Sequence, residues 1–265
     1  MDSSKRKIDE MVNNINSFRE TASKVQSSAT RLSEVHSEIR SLNRPIGYRV
    51  EDAENSYKSY EHILNDLRKF KAELEELNRS TGANVMELRA LLQRQEEYIL
   101  EVENYMSKIK NLILIRQQYS SLATGLTEFI INYTEIVKEI ERSNIHPSEK
   151  VKRYDDTIAK ISDAEAQLAL VTDKGNLIAS ECTTKDRNKV MEQLQSLKSQ
   201  VHSLKTAIQR KRQEHVESAS ETNKKAGEVE KVLEALRSKE QFITSRPVLT
   251  LSVSDVEERY RSTRP

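Results

Sequence analysis

The prolines of this chain fall at a nearly constant interval. Pro45, Pro147 and Pro247 are separated by 102 and 100 residues, and a fourth, Pro265, stands at the last position. Each proline removes a backbone donor and clashes with the turn before it, so it stops a helix. Only five glycines accompany them in 265 residues. Gly125 and Gly227 keep the same beat, 102 residues apart, and Gly82 and Gly175 lie 93 apart. Almost everything between these breakers is built from good helix formers, which predicts long helices and an all-α fold.

The segments beside the prolines are also alike. Arg44-Pro45 leads into Asp52-Ala53-Glu54-Asn55-Ser56-Tyr57, and Arg246-Pro247 leads into Asp255-Val256-Glu257-Glu258-Arg259-Tyr260. Between them Pro147 leads into Ser148-Glu149-Lys150-Val151-Lys152-Arg153-Tyr154. Self-similarity at a fixed period is the signature of a repeat array. The breakers predict helices over 5–42, 49–80, 84–143, 149–180, 185–243 and 254–262. Thr81-Gly82-Ala83 reads as a stop and restart. Ser180 to Thr184 reads as the matching loop one period later, and Ser148 as the N-cap of the fourth helix.

The two longest helices carry heptad-like seams. Val85, Leu88, Leu92, Ile99, Val102, Met106, Ile109 and Ile113 form one, and Tyr119, Ala123, Leu126, Ile130, Tyr133, Val137 and Ile140 another. The phase slips near Arg116–Tyr119, where two steps of three meet. The fifth helix does the same: Val190, Leu194, Leu197, Val201, Leu204 and Ile208 are followed by Ala226, Val229, Leu233, Leu236 and Ile243, with the slip near His215–Ala219. A slip turns the apolar face around the helix. One continuous helix leaving one three-helix bundle and entering the next explains it, and Gly125 and Gly227, just beyond the slips, would tolerate a bend there. A helix of ~60 residues would be ~90 Å long, so such an array would be a rod. The alternative is one long dimeric coiled coil with stutters.

Composition agrees with bundles that bury only stripes. Hydrophobic residues make up 36% and aromatics 5%, with no Trp, which is thin for a single globular core of this length. The 43 basic and 42 acidic residues are interspersed. They lack the concentrated basic face that nucleic acid requires. No apolar run approaches the ~20 residues of a membrane span. The start carries neither an apolar signal region nor a glycine for myristoylation.

Chemistry-bearing residues form no constellation. The histidines His36, His62, His146, His202 and His215 lack metal-ligand spacing, although His36 and His62 could face each other across the first bundle. Cys182, the single cysteine, has no general base beside it and reads as a free thiol in an exposed loop. The acidic pairs Glu75-Glu76, Glu96-Glu97 and Glu257-Glu258 belong to helical charge patterns. The basic run Lys205 to Arg212 reads as a solvated face. Tyr57, Tyr60, Tyr98, Tyr105, Tyr119, Tyr133 and Tyr154 read as bundle core with hydroxyls at the edge. No catalytic, cofactor or metal site is expected, so no enzyme. The residues expected to matter are structural: Leu88, Leu92, Ile99, Val102, Phe129, Leu194, Leu197, Val201 and Leu204 in the seams, with Pro45, Pro147, Pro247, Gly125 and Gly227 as punctuation.

This layout resembles the spectrin repeat, in which the third helix of one unit runs on as the first of the next. Asp173 to Ser180 is similar to the end of that family's middle helix, and Val190 to Lys198 to the start of its third. More narrowly, Ser148 to Tyr154, Asp173-Lys174-Gly175, Asp186-Arg187-Asn188, Gln193 to Lys198 and Ser245-Arg246-Pro247 resemble the nesprins, giant spectrin-repeat linkers between the outer nuclear membrane and the cytoskeleton. The resemblance implies tandem three-helix bundles forming an elongated rod: a lead-in over 1–20, repeats over 21–123 and 124–225, and an incomplete third over 226–265. Where the family usually carries a Trp, Phe129 stands in one unit and Ala235 in the next, which implies a weaker unit at the Ala235 end. It further implies a spacer at the cytoplasmic face of the nuclear envelope or on the cytoskeleton, with cytoskeletal or nuclear-envelope partners. Actin would be reached through other parts of a larger protein. The chain itself should be a monomeric rod with no span, no actin-binding domain and no luminal tail. A dimeric coiled-coil tether remains the rival.

Overall fold

The structure, a computed structural model, describes residues 2–80, 86–245 and 253–263. Every element among the described residues is an α-helix: α1 (Asp2–Leu42), α2 (Val50–Ser80), α3 (Met86–Arg142), α4 (Pro147–Glu181), α5 (Thr184–Ser245) and α6 (Val253–Thr263). α3 runs unbroken for 57 residues and α5 for 62. Both pass without interruption through the predicted phase slips and through Gly125 and Gly227. The expected restart at Thr81-Gly82-Ala83, together with Val85 and Pro247, lies outside the described residues.

The helix ends follow from local chemistry. α2 opens with Asp52 reaching back to the Arg49 amide at 3.2 Å, half of a capping box. Gly47 leaves room for this contact, because a Cβ there would collide with the Asp52 carboxylate and push it aside. α4 begins at Pro147, two residues earlier than the sequence predicts, so Ser148 is not its cap. The cap is His146. Its carbonyl accepts from Glu149 and Lys150, and its Nδ1 accepts from the Ser148 amide at 3.3 Å. Proline suits the first helical position, where its missing N–H has no partner to lose. Thr183 caps α5: its Oγ1 accepts from the Asp186 amide at 3.3 Å and donates to the Asp186 carboxylate at 3.2 Å. At the far side of that turn, Arg187 Nε donates to the Ala179 carbonyl, 2.9 Å away, at the end of α4.

The chain divides into two compact units, residues 1–129 with 164–200, and residues 130–163 with 201–265. In the first, one face each of α1, α2 and α3 builds a three-helix core. Val25, Leu32 and Ile39 of α1 meet Tyr60, Leu67, Phe70 and Leu74 of α2, and Leu88, Val102, Met106 and Ile109 of α3. Each helix thus buries one stripe, as the heptad spacing demands. Ion pairs bridge the rim, Arg31–Glu73 at 2.8 Å, Arg68–Glu103 at 2.9 Å and Lys71–Glu96 at 2.7 Å. They are exposed and contribute at most about 1 kcal/mol each.

The same unit holds a second three-helix layer, made by Tyr119, Ala123 and Leu126 of α3, Val171 and Ile178 of α4, and Val190, Leu194 and Leu197 of α5, all buried. Gly175 lets the helices close together, since a Cβ there would lie 2.8 Å from Leu194 Cδ1 and 3.1 Å from Tyr119 Cε2. In the other unit, Ile140, Tyr154, Ile161, Val201, Leu204 and Ile208 are buried. The later α5 stripe is different: Val229, Leu233, Leu236 and Ile243 are exposed, as are Ile8, Met11, Ile15 and Phe18 in the first half of α1.

Candidate functional site

For a chain whose helices are its machinery, the places of interest are those where the apolar seam changes phase. On α3 the seam steps from Ile109 to Ile113, then to position 116, then to Tyr119 and Ala123. Position 116 is an arginine, and it is only 1% exposed. Its guanidinium is satisfied by neutral acceptors. Nε donates to the Gly47 carbonyl at 2.9 Å, Nη1 to Leu112 O at 3.2 Å, and Nη2 to Ile46 O at 3.4 Å and to Cys182 Sγ at 3.8 Å. Burial lowers its pKa, and the neighbouring thiol partly offsets this.

Cys182 is therefore not the exposed loop thiol expected from sequence. It is 6% exposed. The turn between α4 and α5 is short, so the side chain folds inward onto Arg116. Burial raises the thiol's pKa and the guanidinium opposes that rise. One turn further along α3, Tyr119 donates to Gln193 Oε1 of α5 at 2.9 Å. Burial pushes its hydroxyl up to about 12. A surface cleft of about 350 Å³ opens beside these groups, with Tyr48, Arg49, Glu51 and Thr127 among its walls.

The α5 slip carries a polar cluster of its own, within the other unit. His215 Nε2 lies 2.6 Å from Glu141 Oε1, and the Tyr154 hydroxyl donates to the same oxygen at 2.7 Å. Lys211 reaches Glu141 Oε2 at 3.3 Å, and Lys150 donates to the Glu141 carbonyl at 2.9 Å. The His215 and Tyr154 rings stack with centroids 5.8 Å apart. Burial alone would raise the Glu141 carboxyl, but bonds from His215, Tyr154 and Lys211 outweigh it and hold the pKa at about 2. Glu141 thus ties the end of α3 to α4 and α5 at once. Arg212 adds a fork to Asp155 at 2.5 and 3.5 Å. The Lys205 to Arg212 run is accordingly not a purely solvated face, since its last two members bind other helices.

The seam residues anticipated from sequence are placed as follows. Leu88 and Val102 are buried in the first core, with Leu92 and Ile99 packed against it. Leu194, Leu197, Val201 and Leu204 are buried, and Phe129 is half-buried. Pro45 lies in the α1–α2 linker. Gly125 and Gly227 sit inside helices, and a Cβ added at either would have nothing within 4 Å. His36 stacks on Tyr98 at 4.7 Å and His62 pairs with Asp66 at 3.2 Å, so the two imidazoles take different partners rather than each other. Tyr60, Tyr119 and Tyr154 are buried. Sequence reasoning missed Arg116, Gln95 and Glu141 because it followed apolar residues. The signal for the first two was a polar side chain at a position where the three-four spacing requires a core residue. Among the described residues no group of three or more His, Cys, Asp or Glu is arranged to hold a metal ion, and no helix is long and apolar enough to cross a membrane.

Long helices packed in threes, with seams that change phase mid-helix, define spectrin-type bundles. The chain is 34% identical over 257 residues, 96% of its length, to the protein named Muscle-specific protein 300 kDa of Drosophila melanogaster, and it spans 2% of that relative. Together with the all-helical bundles, this similarity supports a nesprin-like segment of spectrin repeats. No family model matches the chain, and no solved structure matches it.

Proposed function

We propose that the chain is a load-bearing spacer and interaction rod within a much larger cytoskeletal linker that couples the nuclear envelope to the cytoskeleton, as in LINC-type assemblies. The observation carrying this reading is the continuity of α3 and α5 through their phase slips. A helix that serves two successive bundles passes tension along its own backbone instead of through a flexible joint. The repeats would run over 21–123 and 124–225, with a third begun at 226. Partners would be cytoskeletal or nuclear-envelope proteins meeting the charged outer faces. Actin would be bound through other parts of the larger protein, and this segment would be a monomer by itself. The non-enzymatic reading is supported by the uses to which the buried polar groups are put: each identified above is spent on holding helices together.

Small-angle X-ray scattering with in-line light scattering tests the spacer. A monomer near 31 kDa whose cross-section is one three-helix bundle wide is expected. A stable dimer, longer and thinner, would replace the spacer with the coiled-coil tether. Expression of the tagged segment in muscle cells, alone and within its longer parent, tests the location. Recruitment of the parent to the nuclear rim is expected, and its absence there would remove the nuclear-envelope part of the reading.

A further inference from the structure

We infer that Arg116 is a lock that makes the α4–α5 turn open together with the first three-helix core, so that helix continuity alone does not carry the coupling. Its guanidinium holds two loops that are far apart in sequence. One is the α1–α2 linker, through the carbonyls of Ile46 and Gly47, and the other is the α4–α5 turn, through Cys182. The linker is the hinge of the first core. Pro45 stands just past the end of α1, and Gly47 lies directly against the Asp52 side chain of α2, where an added Cβ would collide with the carboxylate. The linker that presents these carbonyls to Arg116 is thus seated against the start of α2.

A guanidinium is always charged and carries five donors in a rigid fork. Buried at 1% exposure, it must keep its acceptors or leave the interior, because an unpaired buried charge is strongly unfavourable. When the first core loosens and the linker lifts away, Arg116 loses two of its carbonyls. Only the carbonyl of its own helix and the weak thiol acceptor remain. The side chain must then swing to solvent and uncover Cys182. Tyr119 and Gln193, which continue the contact between α3 and α5 beyond this point, are the next groups to be exposed. The device is a buried cation shared by two loops, and it operates whichever cytoskeletal system the parent protein serves.

Cys182 is its natural reporter, being the single cysteine of the chain and buried. The experiment measures the rate at which a maleimide modifies Cys182 in the full chain under native conditions, with helical content checked by circular dichroism. Leu67→Ala loosens the first core at a fully buried position well along α2 from the linker. In the Arg116 chain this substitution is expected to raise the labelling rate about tenfold or more. In an Arg116→Met background it is expected to change the rate less than about twofold, whatever the new baseline. Equal acceleration in both backgrounds would assign the coupling to the helix and overturn the lock. No acceleration in the Arg116 chain would overturn coupling altogether. Should Arg116→Met lose its helical content, Arg116→Lys replaces it, since lysine keeps the charge without the fork. The same loss of dependence on Leu67 is expected.

Discussion

Nε2 of His215 stands 2.6 Å from Oε1 of Glu141, although 74 residues separate the two in sequence. The contact places an imidazole from the α5 slip against the last turn of α3, and Tyr154 of α4 completes it. Glu141 is held at a pKa of about 2 against an ordinary value of 4.5. A carboxyl whose folded value is depressed stabilises the fold above its unfolded value and loses that contribution as pH falls through the folded one. The Glu141 contribution is therefore complete above about 4.5 and fades between there and about 2. Glu141→Gln is expected to cost about 1–3 kcal/mol at neutral pH. The gap between variant and parent should close as pH drops across that window. Urea unfolding followed by circular dichroism at several pH values measures both. A gap that persists unchanged at pH 2 would contradict the assignment.

Two glycines on neighbouring helices should respond to alanine in opposite directions. Gly125 lies inside α3, and a Cβ there meets nothing within 4 Å. Gly125→Ala should therefore stabilise the chain by about 0.5–1 kcal/mol through helix propensity and a more restricted unfolded chain. Gly175 also lies inside a helix, but its added methyl would press on Leu194 and Tyr119. Gly175→Ala should gain the same propensity and lose more to overpacking, for a net cost of about 1–2 kcal/mol. Thermal melts of the two variants beside the parent decide it. Both glycines lie in apolar-patterned helices, and only the packing around each distinguishes them.

That contrast shows where the sequence is readable and where it is not. Heptad spacing locates the core of α5 from Val190 to Ile208 residue by residue, because an apolar side chain at every third or fourth position has only one face on which to hide. Pro45 marks the α1–α2 linker and Pro147 the start of α4, and the slip on α3 is visible as two steps of three. What lies at the slip is not. Arg116 is polar, and spacing alone cannot say that two linker carbonyls will be waiting for it. Cys182 reads as solvent-facing because its neighbours are Ser, Thr and Glu, yet a turn this short leaves its middle side chain facing the helices. Ser148 is a better cap by preference than His146, but Pro147 fits the first helical position and moves the cap back to His146. The exposed stripe from Val229 to Ile243 carries the same pattern as the buried one, so pattern alone does not tell a covered face from an open one.

The turn into α5 rests on Thr183 and Asp186, whose side chains bond each other and, through Thr183 Oγ1, the Asp186 amide. Thr183→Ala removes an N-cap and is expected to cost about 0.5–2 kcal/mol. Because Cys182 is the preceding residue, the same substitution should also raise its maleimide labelling, whereas Thr127→Ala, far along α3 from this turn, should not. Labelling that is unchanged in Thr183→Ala would mean that Arg116 alone keeps the thiol inside.

Gln95 fills a seam position of the first core with an uncharged amide, and it is fully buried. Its Nε2 donates to the Leu67 carbonyl of α2, while its Oε1 has no hydrogen-bond partner among the described residues. A half-satisfied amide is an expensive occupant of a heptad core, since the orphaned acceptor loses its water without replacement. Polar residues at such positions trade stability for register. Gln95→Met keeps the length and flexibility of the side chain, removes the orphan oxygen and gains apolar contact with the surrounding core. It is expected to raise stability by about 1 kcal/mol. If Gln95 also fixes the register of α2 against α3, the variant should show broader amide resonances in both helices despite its higher melting temperature. Sharp, singly populated resonances together with a higher melting temperature would show that register is set by Leu88, Val102 and the rest of the apolar seam. A lower melting temperature would show instead that the Leu67 hydrogen bond outweighs the orphaned oxygen.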